Sequence, residues 1–236
     1  LYLKKLVSYP RTGSRYVSEA EIPLMHKSFD ILSMAYPDLA KNADKRYVSV
    51  ENKRICNPEK IEDHYAILME PVIPKQLTKD EQNIYSIVLE RFFMQFQPPM
   101  TYKQKDIVTE IEGHTFKSRY KQMINLGWKS IIAKDDEDSK KDTDVHDLQG
   151  YPLVIQGPSM CENVDLQEKE TSPPSAYNDG TLMAMMDNIS NKIDDPELKE
   201  KLKDCGIGTS ATRAATIKKL VDFNYLAYEK KALTIT

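Results

Sequence analysis

The chain has 236 residues, 40% hydrophobic and 29% charged, with a formal net charge of −3. That is enough for one large domain or two modest ones with real cores, in the balance of a soluble globular protein. No apolar run approaches the ~18–20 residues that cross a bilayer, no signal peptide opens the chain, and the total charge carries no basic signature for nucleic acid.

The first segment, "LVSYPRTGSRYVS", ends a short apolar run at Tyr9 and crowds Lys4, Lys5, Arg11 and Arg15 together. Ser18 followed by Glu21 is a capping-box pattern, and Ile22, Met25, Phe29 and Leu32 then recur at helical spacing. Residues 45–71 read as a loop with one short strand and a turn at Asn57-Pro58, and "VIPKQ" reads as a linker. Thr78 and Glu81 form a second capping box opening an amphipathic helix, with Ile84, Ile87, Val88, Arg91 and Phe92 on its apolar stripe and Pro98-Pro99 at its end.

The period then changes to two. Residues 100–132 alternate apolar and polar, with Gly113 at a turn, which predicts at least two strands. Residues 134–147 are a charged surface loop, and "YPLVIQGPSMCENVDLQEKETS" suggests a strand, a turn and a further short strand. After Pro173-Pro174 come three helices, the second stopped at Gly206, and a closing hairpin or wing in "AYEKKALTIT". The fold class expected is α+β and multi-domain, in three parts. Residues 1–75 form a helical tyrosine-bearing segment with winged-helix character, 76–165 a β-rich arch or hinge, and 166–236 a helical segment that binds single-stranded DNA.

Three stretches carry chemistry. The Tyr9 phenol, once ionised, is suited to attack a phosphodiester, with Arg11 forking two donors onto the phosphoryl oxygens. Pro10 keeps Tyr9 out of the helical region and stiffens the pair. The same phenol would also serve as the end of a core strand. His64, just before an apolar segment, is suited to donate a proton or hold a phosphate, or to play a structural part at a strand end. In "CGIGTSATRAATIKKL", two glycines lead through Thr209, Ser210 and Thr212 into a helix bearing Arg213, Lys218 and Lys219. That is either a phosphate-binding helix start or a helix stop followed by a threonine cap. It lacks Walker-loop spacing. A helix-turn-helix closed by a hairpin also has the shape of a winged helix. Cys56, Cys161 and Cys205 lie far apart without a C-x-x-C pair, against a disulfide framework or zinc site and in keeping with a reducing cytoplasm.

Together these stretches resemble a type IA DNA topoisomerase, closest to the topoisomerase III branch. The family pattern (S/T)-Y-x-R-(T/S)-D-(S/C)-R-Y reads here Ser8-Tyr9-Pro10-Arg11-Thr12-Gly13-Ser14-Arg15-Tyr16. The H-x-A-I pattern matches His64 to Ile67, and G-I-G-T-P-A-T-R-A matches Gly206 to Ala214, with Ser210 in place of proline. The "F-x-P" and "GW" landmarks stand at Phe96 to Pro98 and at Gly127-Trp128, and "K-P-P-x-x-Y" at Ser172, Pro173, Pro174 and Tyr177. The order is the family's, over nearly the whole chain.

The resemblance implies that Tyr9 is the nucleophile, forming a 5′-phosphotyrosine with single-stranded DNA, and that Arg11 stabilises the scissile phosphate. It implies DNA contacts for His64, Arg15, Thr209, Thr212 and Arg213. Strand passage and religation would proceed without ATP, in the nucleoid of a bacterial-like cytoplasm, and the family reading admits a helicase partner. A non-catalytic helical DNA-binding module is the alternative, for which Tyr9 with Arg11 would be unnecessary. Two departures stand out: Gly13 replaces the usual aspartate, and Ser172 and Ala176 replace basic residues around Pro-Pro. Mg²⁺ is expected on an acidic Toprim domain whose Glu and Asp-x-Asp pattern this sequence lacks. The chain starts at Leu1 and stops at "ALTIT", and is read as a piece of a longer protein that is inactive alone.

Overall fold

The structure is a computed structural model that describes residues 1–61, 63–132, 156–160, 163, 165–202 and 206–236. Helix and sheet are mixed along it, in two compact units, Leu1–Gly157 and Pro158–Thr236.

In the first unit, the capping box of Ser18 and Glu21 forms as the sequence predicts, through a single 3₁₀ turn that leads into α1 (Ile22–Ala35). Proline at the start of α2 (Pro37–Ala40) sets its entry. The Thr78–Glu81 capping box opens the 16-residue α3 (Lys79–Met94). The buried face of α3 differs from the predicted stripe. Tyr85, Leu89, Phe92, Phe93 and Met94 point inward, while Ile84 and Ile87 are 56% and 59% exposed. The helix offers two apolar stripes, and the one continuous with Phe96 and α1 wins because aromatic area dominates burial. Phe96 stacks on Phe29 at 4.4 Å and meets Phe92 at 5.2 Å. One hydrophobic core therefore runs through Leu6, Val7 and Val17, α1, α3 and Phe96, so residues 1–75 and the helix that follows share it.

Buried Gln97 ties the end of α3 to α2, its amide donating to the carbonyls of Leu39 and Lys41 at 3.0 Å each. The chain then leaves the core as an antiparallel ribbon, β1 (Thr101–Ile111) and β2 (His114–Asn125). Glu112 and Gly113 both have positive φ, +49° and +79°, the signature of a two-residue type I′ turn. The alternation that predicted these strands does not bury a face of them. Val108, Phe116 and Ile124 are all more than half exposed, and the register pairs Asp106 with Arg119 in a cross-strand ion pair. The ribbon returns to the core at Gly127, where a Cβ would come within 2.4 Å of the Pro98 carbonyl oxygen. Only glycine fits there, at φ +51°, and α4 (Lys129–Ile132) follows with Ile131 buried.

In the second unit, α5 (Asp179–Asp187), α6 (Pro196–Leu202) and α7 (Arg213–Asp222) are followed by the hairpin β3 (Leu226–Glu229) and β4 (Ala232–Ile235). The order of helix then hairpin that marks a wing lies here. The described part of residues 1–75 has helices, short 3₁₀ turns and two isolated bridges, Val7 with Met69 and Val17 with Cys56. The charged loop expected at 134–147 and the strand at 151–155 lie outside the described residues. Residues 156–160, 163 and 165–172 carry no strand, and the rest of the stretch expected to hold a further short strand, 161–162 and 164, lies outside the described residues. Their proline, glycine and charged residues supply few apolar side chains to pack a ladder against.

Candidate active site

The Tyr9 loop is built on a short antiparallel pairing. The Glu70 amide donates to the Leu6 carbonyl at 3.0 Å, and the Ser8 amide to the Leu68 carbonyl at 2.9 Å. Ser8 is buried, and its hydroxyl accepts the Leu68 amide at 2.8 Å. This small side chain does the work of a ladder carbonyl, so the segment is pinned up to the residue before Tyr9. Pro10 then ends the pairing, since it has no amide hydrogen to offer.

Tyr9 is half-buried, neither core nor free. Its ring meets Tyr2 edge-on at 5.4 Å and 79°, and lies 4.7 Å from the His64 imidazole at a 55° tilt. The His64 loop is held against the tyrosine loop from both ends. The Thr12 hydroxyl donates to the His64 carbonyl at 2.8 Å, and the Ala66 amide donates to the Tyr16 carbonyl at 2.9 Å. Thr12 Oγ1 also accepts the Ser14 amide at 3.0 Å, and Ser14 Oγ accepts the Tyr16 amide at 3.1 Å, so the turn carries its own bonds. Lys60 lies over the Tyr16 ring at 5.2 Å.

Arg11, Arg15 and His64 are exposed, and neither guanidinium has an ion-pair or hydrogen-bond partner among the described residues. Two solvated guanidinium groups in a loop that displays a phenol are available to a phosphate. Gly13 is exposed, and a Cβ built on it meets nothing within 4 Å. Space therefore does not require glycine at this position. A cleft of about 270 Å³ opens beside Arg15 between Val17, Ile67, Ile87 and Phe92, and Tyr9 does not line it.

Thr209, Thr212 and Arg213 belong to the second unit, the threonines in the loop that leads into α7 and Arg213 as its first residue. The Thr209 amide donates to Thr212 Oγ1 at 2.9 Å, and the two hydroxyls lie 3.1 Å apart. Both threonines are exposed. Arg213 is not. It is 9% exposed, with Nε donating to the Ile207 carbonyl at 2.9 Å, Nη2 to the Gly208 carbonyl at 3.0 Å, and Nη1 paired with Asp187 at 2.8 Å. Sequence reasoning made Arg213 a DNA contact, because residue type says nothing about which way a side chain turns. It also passed over Thr12, Tyr2 and Asp187. Thr12 sits within the quoted motif, while Tyr2 and Asp187 have no local signal and are found only by proximity.

Among the described residues, no group of three or more histidines, cysteines and carboxylates is placed to hold a metal ion. The described side chains around Tyr9 thus form no such group on their own.

The family profile described as DNA topoisomerase matches residues 1–236. The chain is 30% identical over 227 residues to DNA topoisomerase 3 of Haemophilus influenzae, covering 94% of this chain and 34% of that protein. It is 31% identical over 240 residues to DNA topoisomerase 3 of Bacillus subtilis, covering 98% and 32%. It spans about a third of the length of the curated relatives it matches. Its fold is like that of full-length topoisomerase I from Thermotoga maritima, with a TM-score of 0.61 at 20% identity, over 98% of this chain and 33% of that one. By the match along its whole length, the chain belongs to the DNA topoisomerase family.

Proposed function

We propose that this chain supplies the strand-cleaving tyrosine and part of the strand-binding surface of a type IA DNA topoisomerase, which cuts, passes and reseals single strands without ATP. The observation that carries the reading is the phenol of Tyr9, held half-exposed against Tyr2 and His64, in the same loop as Arg11 and Arg15, which have no partner among the described residues. In the forward step the Tyr9 oxygen attacks phosphorus and loses its proton, the P–O3′ bond breaks, and the 3′ oxygen leaves and takes up a proton. The 5′-phosphotyrosine stores the broken bond, and attack by the 3′ hydroxyl reverses each of these changes. Arg11 balances the charge that spreads over the phosphoryl oxygens. His64, whose ring lies 4.7 Å from that of Tyr9, contacts a neighbouring phosphate.

Thr209 and Thr212 belong to a groove that tracks the strand. Residues 101–125 would serve as part of the arch that opens for strand passage. The divalent cation that the resemblance implies would be held by protein outside this chain, and no step above runs through it.

The reading of a non-catalytic DNA-binding module accounts for the threonine loop but gives no task to a displayed phenol in a loop with two guanidinium groups that have no partner among the described residues. The test is to trap the covalent complex of the intact parent protein with DNA and map the linked peptide. Linkage at Tyr9 is expected, and Tyr9→Phe should abolish relaxation of negatively supercoiled DNA while single-strand binding persists. Linkage to any other residue ends the proposal. Incubated alone with a labelled oligonucleotide and Mg²⁺, the 236-residue chain should form no protein-linked label.

A further inference from the structure

Of the residues that the sequence points to as DNA contacts, Arg213 is the buried one. It is the first residue of α7, where a positive charge is disfavoured by the helix dipole. Its side chain escapes that position. It reaches the last residue of α5, Asp187, at the helix end where positive charge is favoured. Two of its five N–H donors are engaged on backbone carbonyls of the loop itself, and Nη1 is ion-paired with Asp187.

The loop is shaped around this guanidinium. Gly206 and Gly208 have φ of +61° and +65°. A Cβ on Gly206 would come within 2.8 Å of the carbonyl oxygens of Met186 and Asp187 and 2.9 Å of Arg213 Nη2. The Ile207 amide donates to the Met186 carbonyl at 2.7 Å, which anchors the same turn to the end of α5. What remains on the outside is the pair of threonine hydroxyls, 3.1 Å apart.

We infer that Asp187 and Arg213 are positioning residues. They hold residues 206–212 in the form that presents the Thr209 and Thr212 hydroxyls to a strand phosphate, and Arg213 makes no phosphate contact itself. This rests on the reading that the second unit binds single-stranded DNA. It changes what substitution there should do. If charge alone mattered, removing the Asp187 carboxylate would tighten binding to a polyanion; if the brace matters, removal weakens it.

The test uses the 236-residue chain, a labelled oligothymidine, a salt titration of affinity, and amide NMR without DNA. Arg213→Ala and Asp187→Asn should each weaken binding by about tenfold, the scale of one lost charged hydrogen bond. The slope of log affinity against log salt should not change, and the double variant should be no weaker than the weaker single one. In both singles, the amide resonances of Gly208 and Thr209 should shift while those of β3 and β4 stay in place, which separates a reshaped loop from an unfolded unit. The inference is overturned if Arg213→Ala reduces the salt slope by about 0.7, the value for one lost phosphate on single strands, while Asp187→Asn binds as well as or better than the unaltered chain. Unmoved loop resonances in both variants would overturn it equally. Should any variant unfold, Arg213→Lys, which keeps the charge and loses the fork, takes its place with the same readouts. If the unaltered chain binds no oligonucleotide, the strand-binding reading falls, and the NMR arm still decides whether the pair shapes the loop.

Discussion

The hydroxyl of Thr12 donates a 2.8 Å hydrogen bond to the backbone carbonyl of His64, residues 52 positions apart in the chain. It joins the loop that carries the phenol to the loop that carries the imidazole. With the Tyr9 and His64 rings 4.7 Å apart, their mutual placement depends on a contact that either loop alone would lack. Thr12→Val should therefore cost about 1 kcal/mol of stability, as for one net hydrogen bond. DNA cleavage by the intact protein should fall more than that loss explains. Thr12→Ser, which keeps the hydroxyl, should restore cleavage. Equal cleavage by the valine and serine variants would show that the tie has no bearing on the phenol.

Arg11 is exposed and has no partner among the described residues, so its replacement should leave the fold untouched and act on the chemical step. Arg11→Lys keeps the charge and loses the bidentate fork. Cleavage should fall by roughly one to two decades, the scale of one strong transition-state donor, with DNA affinity nearly constant. Single-turnover cleavage measured beside equilibrium binding separates the two. Parallel losses would make Arg11 a binding residue only.

The Tyr85 hydroxyl lies in the core of the first unit without a hydrogen-bond partner among the described residues. Burial, and after it the neighbouring Tyr36 side chain, push its phenol well above the ordinary pKa, so it remains neutral. A buried donor without a partner costs about 1–3 kcal/mol. Tyr85→Phe removes that cost and keeps the ring, so the melting temperature should rise by about 2–4 °C for each kcal/mol recovered. A lower melting temperature would mean that the hydroxyl finds a partner in solution.

Lys4 reaches from the first segment to Glu81 in the first turn of α3, 2.7 Å away. That hydrogen bond, with the amide of Thr78, holds the Glu81 carboxyl down at about 2, from an ordinary 4.5. A depressed carboxyl contributes its stability in full above about pH 4.5 and loses it as pH falls toward 2. Glu81→Gln keeps an acceptor for the capping box and drops the charge. The variant should melt slightly below the unaltered chain at neutral pH, a small gap for an exposed pair. That gap should close between about pH 4.5 and 2. A gap independent of pH would assign the difference to the cap and not to the ion pair.

Local chemistry was readable in the sequence. Both capping boxes, the turn at Gly113 and the closing hairpin follow from residue types at fixed short offsets, and each stands where the offsets put it. The motif around Tyr9 was equally legible, because it is contiguous. Three things were decided only by tertiary packing. The face of α3 that turns inward was set by aromatic partners on other segments, leaving Ile84 and Ile87 outside although the helical period alone favoured them. The company of the phenol, Tyr2 and the His64 loop, was set by pairing of residues 6–8 with 68–70, which brings distant positions into register. The direction of Arg213 was set by an acceptor on another helix, Asp187, and by two carbonyls exposed by left-handed glycines. Sequence offsets encode bonds that close within a turn, and they carry no information about which surface a long side chain finds once distant segments have met.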